Sequence, residues 1–127
     1  MSKALNGEIS KNSVKEIGWG EVFVSENEIG KNWFGQITTF NSFHWLSETF
    51  CLPPKTIHLL ASQFCHNLTW AMGKHLALQC HIVMTAGMVQ KWCIAGEIKL
   101  KESASSRALS QANGMVLKLI QHCQVLN

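Results

Sequence analysis

The hydrophobic period of this chain changes once, near Thr85, and that change bounds what it can fold into. Before it, apolar residues alternate or run in short blocks. Val22 and Val24 share a face within Glu21 to Glu26, and Ile37, Thr39, Asn41, Phe43 and Trp45 alternate through Gln36 to Trp45. Asn27 to Lys31 reads as a turn, Trp33 starts an extended segment, and Pro53-Pro54 forces a break. Thr56 to Ser62 and Leu76 to Met84 are further apolar runs, with Cys65 to Gly73 between them as a loop or a short helical turn. Beyond Thr85, a suitable helix N-cap, Met88, Trp92 and Ala95 recur at helical steps to about Leu100. After a polar break at Ser103 to Ser106, a second amphipathic helix is expected over 104–125, with Leu109, Ala112, Val116, Leu119, Ile120 and Cys123 on one stripe. Residues 1–15 are polar and read as loose. Strands first and helices last imply an α+β or α/β unit whose sheet is antiparallel or mixed. The helical Met, Trp and Leu positions read as core contacts.

At 127 residues the chain is one domain's worth of sequence. All 8 acidic residues are Glu, so Ser-His-Asp triads, aspartyl dyads and EF-hand loops are excluded. The net charge of +3 is spread along the chain, and Arg107 is the only arginine, which argues against nucleic-acid binding. Five cysteines are an odd number set mostly in apolar stretches, so free buried thiols in a reducing compartment are expected. The N-terminal segment lacks the apolar run of a signal peptide, and no apolar run reaches a membrane span, so a soluble cytoplasmic protein with no membrane association is expected. His44, His58, His66 and His75 crowd the middle with Cys65, yet none has zinc-ligand spacing, so no metal is expected. Gly18-Trp19-Gly20 lacks the length and partners of a phosphate loop, and no cofactor is implied.

The most informative stretch runs from Phe43 to Thr85. Phe43-His44-Trp45, Glu48-Thr49-Phe50, Leu52-Pro53 and Leu59-Leu60-Ala61-Ser62 follow in order, then Asn67, Trp70, Gly73 and Leu78-Gln79-Cys80-His81. With Glu16-Ile17-Gly18-Trp19 upstream and Met84-Thr85 to Trp92 downstream, this order resembles the C-terminal part of a class I glutamine amidotransferase domain, GMP-synthase-like in kind. The resemblance implies an α/β, flavodoxin-like domain of which this chain is a truncated part. Its mixed sheet would carry antiparallel strands over 16–84, followed by helices over 85–100 and 104–125.

The same resemblance implies a chemistry. A Cys on a Gly-x-Cys-x-Gly-x-Gln elbow attacks the glutamine amide, a His of a His-Pro-Glu-type motif manages the proton, and the Glu orients the imidazole. His81 matches that histidine, whereas Val83 stands at the position of the Glu and Ile82 at that of the Pro. Leu46 and Leu68 replace two further polar positions of the family. His44, Trp45 and Asn67 would lie about the substrate pocket. None of the five cysteines sits in a Gly-rich elbow, and Cys80 would point away from His81 on a strand. The expectation is therefore a chain inactive alone that pairs with a complementary half or with itself, taking glutamine only when complemented. The alternative is a non-catalytic remnant serving as an interaction module.

Overall fold

The structure, a computed structural model, describes residues 1–96. After a 3-10 turn at Lys3–Leu5, the elements are β1 (Ile9–Val24), α1 (Glu28–Phe34), β2 (Thr39–Phe50), β3 (Ile57–Ser62), β4 (Thr69–Met72), β5 (His75–Leu78) and α2 (Ala86–Ala95). The helix expected over 104–125 and the end of that over 85–100 lie outside the described residues.

The strands form one sheet in the order β2-β1-β3-β4-β5. Every strand pairing within it is antiparallel. The mixed sheet expected from the sequence is not found among the described residues. β1 carries the architecture: it pairs with β2 along most of its length, and its last turn of strand pairs with β3. Past β5 the chain returns to β2, where His81 and Phe43 exchange backbone hydrogen bonds of 2.8 and 3.2 Å. Gln79 Nε2 also donates to the Glu48 carbonyl at 2.7 Å. The two edges of the sheet thus meet, so the sheet curls around an interior.

That interior holds Val22, Leu46, Leu59, Leu60, Cys65, Leu68, Ala71 and Cys80, with Phe34 of α1 and Phe40 packed at its margin. A smaller cluster, Ile17, Phe43, Val89 and Cys93, joins the outer face to α2, with Trp45, Met84 and Trp92 beside it. Alternation along β2 sorts its residues between the two: Leu46 joins the first, Phe43 the second. Burying a side chain such as Phe43 in this way contributes roughly 1.5–3 kcal/mol.

Several expectations change. Residues 1–15 are not loose: they include the first part of β1, where Ser10 pairs with Thr49 and Lys11 with Glu48. Asn27 to Phe34 is no turn and strand but a capped helix, the Asn27 carboxamide oxygen accepting from Gly30 N–H at 2.7 Å. Within Cys65 to Gly73 lies a strand, β4. The Leu76 to Met84 run is strand only as far as Leu78. Thr85 caps α2, its hydroxyl accepting from Met88 N–H at 3.3 Å.

Candidate functional site

His81 stands where the returning chain is pinned to β2. Its backbone is fixed by the Phe43 pair, which leaves the imidazole on the outer face beside α2. The ring meets Trp92 edge to face, with centroids 4.8 Å apart and planes at 86°. Trp92 in turn meets Trp45 at 5.9 Å and Phe43 at 6.2 Å, while Trp19 closes on Phe43 at 5.5 Å. Partial burial pushes the His81 imidazole below its ordinary value, which favours the neutral form at neutral pH. Two residues on, Val83 is 75% exposed. The position where the sequence resemblance expects an acid is therefore apolar and open to solvent.

The other expected residues part company. Trp45 shares the outer aromatic cluster with His81 through Trp92. His44, next to Phe43 on β2, faces the opposite side of the sheet from the Phe43 ring and is fully buried. Among the described residues neither His44 ring nitrogen has a hydrogen-bond partner. Desolvation holds its imidazole below the ordinary value; the Gly20 backbone, short of hydrogen-bond geometry, opposes this, and the charge of His81 adds to it. Opposite His44 in register is Gly18, at φ 120°, a conformation that other residues adopt only under strain. Leu46 and Leu68 are core residues of the interior.

Asn67 acts as a strut, its Nδ2 donating to the Phe50 carbonyl at 2.7 Å while its Oδ1 is buried.

No described cysteine is poised as a nucleophile. Cys65 and Cys80 are free and buried, and burial pushes both thiols up. Cys80 and His81 diverge, one into the interior cluster and one onto Trp92. Cys51 is free and exposed. Cys93 departs from the expectation of free thiols, being disulfide-bonded.

Sequence reasoning missed Glu16 as a buried acid. Its carboxylate accepts from Ser62 Oγ at 2.7 Å, and desolvation raises it against that bond. Glu16 pairs in register with Leu46, on the interior side and away from the His81 ring. Only its place in an alternating strand could have signalled this. Trp92 was visible as a helical core position, but its contact with His81 was not.

Among the described residues no group of three or more His, Cys, Asp or Glu could hold a metal ion. His58 and His66 stack at 4.6 Å, but both His58 nitrogens are engaged. Nδ1 accepts from Ser25 Oγ, and Nε2 donates to the His66 carbonyl, each at 2.6 Å. Among the described residues no helix is long and apolar enough to cross a membrane.

No family model matches the sequence, and no curated protein does. Solved structures do. A glutamine amidotransferase from Methylobacillus flagellatus matches at a TM-score of 0.75 and 27% identity, over 98% of this chain and 56% of that one. A glutamine amidotransferase from Thermotoga maritima matches at a TM-score of 0.71 and 22% identity, over 98% and 52%. At the second identity the likeness concerns the fold alone. The chain thus resembles the glutamine amidotransferases, and it spans about half the length of the solved structures that it matches.

Proposed function

We propose that this chain is the histidine-bearing portion of a glutaminase site, within a larger flavodoxin-like domain of which the antiparallel sheet is one part. The observation that carries this reading is the placement of His81: an imidazole whose backbone is fixed to the sheet edge in a fold like that of glutamine amidotransferases.

In the complemented site, a thiolate supplied from outside these residues attacks the Cδ carbonyl of glutamine. His81 holds the thiol proton as an imidazolium and delivers it to the departing nitrogen as the C–N bond breaks, releasing ammonia. Water then attacks the γ-glutamyl thioester. His81 takes a proton from that water and returns it to the leaving sulfur, giving glutamate and free thiol.

Val83 supplies no acceptor for the imidazole, so the chain alone is inactive and the complemented site weak. The partners are glutamine and a complementary half, or a second copy of this chain. Nucleic acid is not among them, given the dispersed charge. A cytoplasmic location fits the three free thiols, with Cys93 as the exception.

The test is ammonia release from glutamine by this chain, alone and mixed with the elbow-bearing portion of a related amidotransferase. Activity in the mixture that disappears in His81→Ala supports the reading. Equal release by His81→Ala counts against it.

The second reading, a non-catalytic interaction module, is favoured by one observation: Trp19 and Phe23 are 48% and 43% exposed on the outward side of β1. Such aromatic exposure suits a covered face.

A further inference from the structure

We infer that Trp92 is a positioning residue for His81, its indole holding the imidazole in one orientation on a chain whose family acid position is apolar. The functional meaning rests on the glutaminase reading; the contact does not.

The imidazole has few constraints of its own. Among the described residues neither ring nitrogen makes a hydrogen bond, and Val83 offers none. Its backbone is fixed by two hydrogen bonds to Phe43, so the remaining freedom is rotation about the side-chain bonds. Trp92 lies against that rotor, perpendicular to it and at a separation typical of an edge-to-face pair.

A residue can hold another only if it is itself held. Trp92 meets Trp45 at 90° and Phe43 at 73°, both on β2. The carbonyl of Trp92 accepts from Gly96 N–H at 2.8 Å, and Gly96 sits so close to the Trp45 ring that a Cβ there would collide with it. The helix end and the indole are therefore clamped to the strand that also pins His81.

An indole differs from a carboxylate in what it can do. It blocks rotation, but it cannot accept a full hydrogen bond from the imidazole N–H, so it fixes the orientation and leaves the tautomer unset. It also cannot neutralise an imidazolium. Trp92 thus replaces one of the acid's functions and leaves the others unfilled.

The test uses the full chain with labelled histidine, in wild type, Trp92→Phe and Trp92→Leu. Side-chain three-bond couplings of His81 report its rotamers, and imidazole nitrogen shifts report its tautomers. Wild type is expected to show couplings of a single rotamer, ring protons displaced by the indole ring current, and a tautomer mixture. Trp92→Phe keeps the single rotamer, and Trp92→Leu averages. Averaged couplings in wild type, or a Trp92→Leu imidazole as fixed as in wild type, overturn the proposal. If Trp92→Leu does not fold, wild type and Trp92→Phe decide it, since averaging in either refutes it. No glutamine is present, so a failed glutaminase assay leaves this result standing, and the converse holds.

Discussion

Two histidines on the curled sheet, His44 and His81, differ in what burial does for them. His81 keeps one side open beside Trp92, whereas His44 is enclosed with no partner for either nitrogen. Both are held below the ordinary imidazole value, so the unfolded chain binds protons before the native state does. Stability from this source is complete above the unfolded value of 6.5 and falls as pH drops through the lowered native values. Glu16 acts in the other direction: its raised carboxyl costs stability as pH rises from 4.5 through its native value. We predict that His44→Leu, which removes an unsatisfied buried group, stabilises the protein by about 1 kcal/mol at neutral pH. It should also flatten the loss of melting temperature below pH 6.5. An unchanged acid limb in a melting series would contradict this assignment.

At the level of elements, α2 is where local geometry and the site coincide. Its start was legible from Thr85 and the change of period. Its consequence was not, because no sequence pattern reports that Gly96 must lack a Cβ to close on Trp45. Gly96→Ala is expected to force α2 off the sheet at a cost of about 1–3 kcal/mol, with changed Trp45 and Trp92 fluorescence. A melting temperature within error of wild type would show that the Trp45 ring can move aside.

The start of β1 and all of α1 were illegible for related reasons. Ser10 and Lys11 pair with Thr49 and Glu48 of β2, and the polar run from Ser10 to Ser13 carries no apolar alternation. α1 presents one short stretch closed by Asn27 and Gly35, too brief for a 3.6-residue period to declare itself. β4 hides for the opposite cause, since Thr69, Trp70 and Ala71 are all buried and a continuous run carries no period.

Over the whole molecule, the fold was most legible through the ordered segments from Phe43 to His81, and least through composition. The candidate site was half legible. The motif order singled out His81 and Val83 but not the contact of His81 with Trp92, and the inward turn of His44 depends on which face of β2 meets the interior. We predict that the exposed Trp19 and Phe23 mark a face covered by a second copy or by a complementary half. Sedimentation should show a concentration-dependent species larger than the monomer, and Trp19→Ser with Phe23→Ser should diminish it. A monodisperse monomer with a cooperative melt at all concentrations would argue that the exposed face is self-sufficient.

The central claim concerns His81 and its missing support, and one measurement addresses both. Ammonia release from glutamine is followed for this chain with the elbow-bearing portion of a related amidotransferase, with and without Val83→Glu. Val83 is exposed, so the substitution should leave the melting temperature nearly unchanged. A restored acid should raise the rate of the complemented pair by several orders of magnitude, since loss of the acid in a comparable relay costs about 10⁴ in kcat. That gain should vanish in His81→Ala. A folded, associated pair whose Val83→Glu form releases no more ammonia than its His81→Ala control would contradict the account.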